Sequence, residues 1–392
     1  MSTIDDILPD HMLETFRERA AGYDERNEFF AEDFADLCDA GYLRLLVPEE
    51  LGGLGFSLQD AAMAQRRLAA AAPATALGIN MHHVIVGVAR TLWQRGDARA
   101  HKIFEDVVAG EVFAFGISEA GNDSVLFDAT SAAEPVESGL SLHGTKIFTS
   151  LSPAWTRLFV HARRTDRASD ASDALVFGVL ERGARGVEIK QDWDALGMRA
   201  SQSCTTVLDG AVLAPERILT EIPVGPSPDP VVWGIFGCFE LLLASVYTGI
   251  ADRAIQVAVE ISGTRMSHAR GASYASDPAI RWHIAEAGIL RDGVELQLRQ
   301  VSSDMDAVGT DREVQHGGRW FILFSGLKHR ATETARQVVD LALRSTGGSQ
   351  FRRGSELERL YRDVLAGMYH PSDNESVHAA TATSLLGPMP AN

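Results

Sequence analysis

Apolar positions in the first hundred residues fall at helical spacing. Phe30, Phe34, Leu37 and Cys38 recur at intervals of four, three and one, and Ala61 to Trp93 follows as a long Ala/Leu/Val run. Between them Val47-Pro-Glu-Glu-Leu-Gly-Gly-Leu-Gly reads as a turn. From Glu111 the texture changes to short β-branched and aromatic runs: Val112-Phe-Ala-Phe, Leu158-Phe-Val-His-Ala, Ala174-Leu-Val-Phe-Gly-Val-Leu and Cys204-Thr-Thr-Val-Leu. Gly and Asp turns separate them, which predicts strands in a compact β domain. After the proline-rich stretch 223–230 helical period returns over 231–261, 278–308, 320–344 and 356–367. The order is helical, β, helical, without the βαβ alternation of a doubly wound sheet. We place the boundaries at 1–110, 111–225 and 226–392.

Charge narrows the partners. Lys plus Arg number 36 against 53 for Asp plus Glu, a net −17 with no basic run, which excludes a nucleic-acid backbone as ligand. The stretch 231–251 is apolar enough to suggest a membrane span, but Glu240 lies at its centre, where a charge in lipid costs a few kcal/mol. It reads instead as a buried helix, so no membrane is expected and a homo-oligomer is. The acidic opening Met1-Ser-Thr-Ile-Asp-Asp is no targeting signal. Cys38, Cys204 and Cys238 have neither metal-ligand nor disulfide spacing, so we expect no metal and a cytoplasmic setting.

Seven segments in order carry a family likeness: Val47-Pro-Glu-Glu-Leu-Gly-Gly-Leu-Gly, Ile117-Ser-Glu-Ala-Gly-Asn-Asp-Ser, Leu142-His-Gly-Thr-Lys-Ile-Phe-Thr-Ser, Leu196-Gly-Met-Arg-Ala-Ser, Gly249-Ile-Ala, Gly347-Gly and Glu358-Arg-Leu-Tyr-Arg-Asp. Together they resemble the acyl-CoA dehydrogenase superfamily. That resemblance implies a mostly α protein with a central β-barrel: a helical N-terminal domain, the barrel, and a C-terminal four-helix bundle. It also implies a flavin, FAD in the first instance with FMN as the alternative. Phe115, Ile117 and Ser118 alternate along one strand, and with Ser124 they suit the ring edge and phosphates. Phe148 and Ser150 lie two apart on a strand, hence on one face, and match the family's aromatic wall and the hydroxyl beside flavin N5. Arg265 or Arg270 matches an arginine that meets the cofactor from a neighbouring subunit. Gly347 and Gly348 match glycines that approach the adenosine part there, which implies a homotetramer.

A dehydrogenase of this family needs a carboxylate base for the substrate α-proton. Counting from Arg362-Asp363, the usual position falls on Pro371, and the alternative position on the long helix falls on Phe239. Glu240 is one residue off, a turn of about 100° on a helix. His370, eight residues after Arg362, instead resembles the flavin-dependent monooxygenase branch, whose two-component members take reduced flavin from a separate reductase and bind O2. Phe148-Thr-Ser150 and Met81-His-His83 also resemble that branch, so Ser150, His370 and one of His82 and His83 are the catalytic candidates. Trp155 and Trp233 suit an aromatic pocket wall. The expectation is therefore the oxygenase component of a two-component monooxygenase acting on an aromatic or polycyclic small molecule. Its rivals are an acyl-CoA or acyl-carrier-protein dehydrogenase with Glu240 or Glu375 as base, and a non-catalytic assembly module. A histidine is expected to titrate between about pH 5 and 8, and a carboxylate lower unless buried.

Overall fold

Pro73 breaks the first long apolar run in two. It has no N–H to donate, and Ala72 before it leaves helical geometry (φ −141°, ψ 87°), so α4 and α5 meet at a corner instead of forming one rod. The computed structural model describes residues 3–164 and 173–389. Its N-terminal part comprises α1 (Ile4–Ile7), α2 (Asp10–Arg26), α3 (Ala31–Asp39), α4 (Leu58–Ala71), α5 (Pro73–Gln94) and α6 (Ala100–Val108). Ser57 and Asp60 close a reciprocal capping box at the start of α4.

Eight strands follow: β1 (Phe113–Gly116), β2 (Ala132–Val136), β3 (Gly139–Thr149), β4 (Arg157–Arg164), β5 (Ala174–Glu181), β6 (Val187–Ile189), β7 (Cys204–Leu213) and β8 (Ile218–Pro223). They are ordered β6-β7-β3-β2-β4-β5-β8, with β1 paired in parallel to β4. The β2–β4 pairing is parallel too, so the sheet is mixed. The sequence leads to the expectation of a closed barrel; what the structure shows is a mixed sheet in which, among the described residues, no ladder joins β6 to β8. β6 is only three residues long, and β8 ends in Pro223 ahead of Pro226, Pro228 and Pro230, none of which has an N–H to extend a ladder. The sheet curls nonetheless. A Cβ at Gly178 of β5 would lie 2.7 Å from the Leu213 side chain of β7.

The C-terminal part is helical: α7 (Pro230–Thr264), a small hairpin of β9 (Met266–Ser267) and β10 (Ala272–Ser273), α8 (Pro278–Asp306), α9 (Arg319–Thr346), α10 (Glu356–Val364) and α11 (Asn374–Leu386). α7 is long and apolar enough to cross a membrane, yet 94% of its most apolar window is buried inside the molecule. Small residues let neighbours close on it. A Cβ at Gly249 would sit 2.2 Å from the Arg66 carbonyl of α4, and one at Gly237 would meet Phe324 of α9 at 2.9 Å. α7 therefore joins the N-terminal helices to the C-terminal ones and sets where its own polar residues, Glu240 above all, can point. The outer face of α8 presents Trp282, Ile289 and Leu296, each at least 60% exposed and seven residues apart.

Candidate functional site

The segment after β1 is organised by a buried ion pair. β1 ends at Gly116, so Phe115, Ile117 and Ser118 do not alternate along one strand; Ile117 is fully buried and Ser118 half-buried beyond its end. Glu119 takes five bonds. Its Oε1 accepts from Lys146 Nζ (2.6 Å), Ser131 Oγ (2.5 Å) and Ser131 N (2.9 Å), and its Oε2 from Thr130 N (2.6 Å) and Asn122 Nδ2 (2.9 Å). Lys146 also donates to His161 Nδ1 (3.1 Å), and His161 Nε2–H reaches the carbonyls of Val125 (2.7 Å) and Asp128 (3.1 Å). Burial alone would raise Glu119; the adjacent ammonium and these donors outweigh it and bring the carboxyl down to about 2. Burial and the same ammonium hold His161 neutral, at about 3. Both ends of the 119–131 loop are thus fixed from the sheet. At its tip, after Gly121 (φ +74°), Ser124 is exposed. Among the described residues the hydroxyls of Ser118 and Ser124 form no hydrogen bond.

Across from this loop β3 carries a bulge. Its pairing with β7 slips between Lys146 and Thr149, and Phe148 lies at φ +58°. The extra residue breaks the alternation expected of Phe148 and Ser150. Phe148 is 54% exposed against the edge of Trp193, whereas Ser150 lies just past the strand end and is buried. Leu151, Met198 and Gln202 share the left-handed backbone conformation, a cluster of non-glycine strain of the kind that collects at functional sites. Ser150 Oγ is 2.7 Å from Ser203 Oγ, which is 2.8 Å from Ser201 Oγ, so three buried hydroxyls form a chain. The sequence reading passed over Ser201 and Ser203, although both belong to or border Leu196-Gly-Met-Arg-Ala-Ser.

The third wall is aromatic. The Phe239 ring of α7 stacks on Phe115 at 5.3 Å and meets the His370 ring at 6.5 Å, with Tyr247 on the other side of the imidazole at 5.9 Å. His370 Nε2 is buried without a partner. Burial, helped by the Lys328 charge, pushes this imidazole down to about 3. It is therefore neutral across pH 5–8, which corrects the expected histidine titration in that range. Glu240 does the opposite: burial raises it, and only the charge of Lys328 and the Ser372 hydroxyl pull it back. It turns away from the Phe239 face towards α9. Glu375 is exposed in the first turn of α11.

The two N-terminal histidines part company. His82 donates from Nε2 to Leu43 O (2.9 Å) and accepts at Nδ1 from Phe113 N (3.1 Å), which fixes its tautomer and leaves it no capacity for catalysis. His83, equally buried, has both nitrogens unpartnered beside the Tyr42 ring at 5.1 Å. Arg265 donates to Thr346 O (2.6 Å) and abuts Gly347, whereas Arg270 pairs with Asp277 at 2.8 Å. Gly348 follows at the same end of α9. From Phe239 to Thr264 is 25 residues of helix, about 37 Å at 1.5 Å per residue, so Arg265, Gly347 and Gly348 lie far from the Phe239 wall of their own chain. Trp155 is buried under the Arg182 guanidinium, and Trp233 packs edge-on to Trp320 at 5.5 Å.

The set suits a planar aromatic cofactor with hydrogen-bonding edges: an exposed ring on strained backbone, an unpartnered buried imidazole, a stacked pair of phenyl rings and free serine hydroxyls. Comparison with known proteins agrees. Family models for the acyl-CoA dehydrogenase N-terminal domain and C-terminal domain match residues 6–111 and 241–375. An L-evernosamine nitrososynthase from Micromonospora sp. is 32% identical over 93% of this chain and 85% of its own. A putative acyl-CoA dehydrogenase of Bacillus subtilis is 29% identical over 93% and 92%. The structure of KijD3 in complex with FMN and dTDP-3-amino-2,3,6-trideoxy-4-keto-3-methyl-D-glucose has a TM-score of 0.87 at 27% identity, covering 99% of this chain and 94% of its own. The flavin in that neighbour is FMN, not the FAD favoured from the sequence.

Proposed function

The chain belongs to the acyl-CoA dehydrogenase family and is a flavin-dependent oxidoreductase, and on that premise we propose that it is the oxygenase component of a two-component flavin monooxygenase that oxidises a small-molecule amine carried on a sugar. One observation carries the reading. At both positions where a dehydrogenase of this family keeps its base, the site-facing residue is not a carboxylate: Phe239 faces Phe115 and His370, while Glu240 turns to Lys328. The amine follows from the nitrososynthase at 32% identity and from the amino-sugar ligand named with KijD3.

When bound, the flavin supplies two-electron redox chemistry with O2. The residues that would hold it are Phe115, Ile117, Ser118, Ser124 and Phe148, with Ser150 at its reactive edge; FMN is favoured over FAD. Ser150, backed by Ser203 and Ser201, serves as hydrogen-bond donor or acceptor there because the chain of hydroxyls reverses direction without moving a heavy atom. His370, neutral at physiological pH, offers its free Nε2 to a proton in flight, and the rings of Phe115, Phe239 and Tyr247 keep water from it. His83 is the remaining N-terminal candidate for this role. One oxygen atom goes to the substrate nitrogen and the other leaves as water, with two electrons from a separate reductase. An aromatic or polycyclic substrate is the second reading, favoured by the cluster of Trp233, Trp320 and Phe324 on α7 and α9. The three free thiols suit the cytoplasm. A homotetramer would bury the α8 stripe and carry Arg265, Gly347 and Gly348 of one subunit to the flavin of another.

The test supplies reduced FMN or FAD, O2 and either a nucleotide-linked amino sugar or an aromatic such as indole. A product heavier by one oxygen from the amine supports the reading, and one from the aromatic transfers it to the second. Anaerobic bleaching of oxidised flavin by an acyl thioester, without oxygen transfer to either, overturns it in favour of a dehydrogenase.

A further inference from the structure

The turn that carries His370 has almost no secondary structure of its own. It runs from the end of a short 3-10 segment at Met368 to Asp373, the N-cap of α11, and includes Pro371, which donates nothing, and Ser372 at φ +54°. Its carbonyls are instead collected by one side chain. Lys328 of α9, 1% exposed, donates from Nζ to Gly367 O (3.0 Å), His370 O (2.9 Å) and Ser372 O (3.2 Å). An ammonium has three protons, so its donors are used up. Nothing remains for Glu240, which meets Lys328 as a counter-charge only and keeps its Oε2 unpartnered. One helical turn along α9, Thr332 closes on Gly367, where a Cβ would lie 2.7 Å from the threonine methyl and 3.0 Å from the Tyr247 ring. The turn is therefore pinned at two successive levels of α9.

We propose that Lys328 is a positioning residue for the reaction, whose ammonium, compensated by Glu240, holds the 367–372 turn so that the His370 imidazole stands between Phe239 and Tyr247. This rests on the reading that His370 serves the flavin site. Three convergent carbonyls define a pocket that a point-like ammonium satisfies and a planar guanidinium does not. A neutral side chain of similar length leaves buried carbonyls without donors, and beyond Tyr369 N–H to Ala366 O (3.1 Å) and the Ser372 hydroxyl to Glu240 little else keeps the turn in shape. The Glu240 charge is needed because an isolated ammonium at this depth would shed its proton and one of its three bonds with it.

The test uses the full chain with Lys328→Met, and Lys328→Gln should the first not fold. Amide hydrogen exchange of the peptide spanning 366–373, read in the flavin-free protein, is expected to speed up at least tenfold while peptides from β3 and β7 stay unchanged. Glu240→Gln removes the counter-charge, so the buried ammonium gives up a proton and one of its three bonds, and it is expected to speed exchange in the same peptide by less than Lys328→Met does. With flavin, reductant and O2, the fraction of electrons lost as hydrogen peroxide is expected to rise in Lys328→Met to the level of His370→Ala, and the double variant to be no worse than either single one. Unchanged exchange at 366–373 overturns the proposal, as does multiplication of the two effects in the double variant. If exchange speeds up but His370→Ala leaves peroxide release at the wild-type level, the role given to His370 fails, and with it the catalytic sense of the proposal.

Discussion

Glu119→Gln is the substitution from which the structure forecasts most. The carboxylate is approached from both sides by donors only: Lys146 and Ser131 on one oxygen, Thr130 N and Asn122 on the other. An amide has one acceptor and one NH2 group, so one orientation sets that NH2 against Lys146 and Ser131 N, and the other against Thr130 N and an Asn122 amide whose bonds to Asp128 O and Ser124 N oppose its turning round. Two orphaned buried donors at about 1–3 kcal/mol each give a loss of about 4 kcal/mol. Lys146→Met, which leaves a buried carboxylate with its neutral donors, is expected to cost about 3–5 kcal/mol. The double variant should fall short of the sum by about 2 kcal/mol, because once either partner is gone the other has less to lose. Urea unfolding at pH 7 measures all three. Loosening the loop that presents Ser118 and Ser124 should weaken flavin binding at least tenfold, read by fluorescence titration. The folded carboxyl stands at about 2 against an ordinary 4.5, so its contribution is complete above pH 4.5 and lost as the pH falls towards 2. A Glu119→Gln protein within 1 kcal/mol of wild type, with unaltered flavin affinity, would refute the reasoning.

Acid should destabilise the protein well above the carboxylate range. His82, His161 and His370 are held neutral at about 4, 3 and 3, and His83 well below its ordinary value, all by burial first; the unfolded chain takes up four protons below pH 6.5 that the folded one refuses. From pH 7.5 to 5.5 this removes about 1.4 kcal/mol per histidine, partly offset by Asp33 and Asp363, which burial raises to about 6, and by Glu240, which burial also raises, for a net loss of about 2 kcal/mol by denaturant titration; a flat profile would contradict it. His82→Ala should cost about 2–3 kcal/mol of stability by severing Leu43 from Phe113, and after correction for folded fraction leave peroxide release unchanged. Leu296→Asp on the α8 stripe should shift mass in light scattering from tetramer to a smaller species and lower flavin affinity; a wild-type protein that is monomeric with flavin bound would defeat the cross-subunit assignment of Arg265 and Gly347.

Helical and extended segments were legible because their apolar periods are long. The predicted helix over 231–261 appears as Pro230–Thr264, and that over 278–308 as Pro278–Asp306. Strand faces were not legible where a single extra residue intervenes: nothing in Lys146-Ile-Phe-Thr-Ser announces the bulge that sends Phe148 outward and Ser150 inward. Histidine roles were closed to sequence for another reason. His82 and His83 are neighbours of identical type, and only the carbonyl of Leu43 and the N–H of Phe113, 39 and 31 residues away, tell them apart. Lys328 carried no signal at all, since its three acceptors are main-chain carbonyls and any residue supplies those. The expected titration of His370 failed because burial is a property of the fold, not of the residue.

The central place of α7 has a consequence for how the protein is made. Its partners α4 and α5 are complete by Gln94, but α7 ends only at Thr264, with the whole sheet between them. At about 5–20 residues per second, the ribosome needs about 10–30 s to make those 170 residues. For that time the apolar faces of α4 and α5 around Ala69, Gly87 and Val88 have nothing to cover them. A nascent chain stalled before Pro230 should therefore bind chaperones or aggregate instead of forming a smaller folded unit. Release of the chain from that state should coincide with emergence of α7, not with completion of the strands.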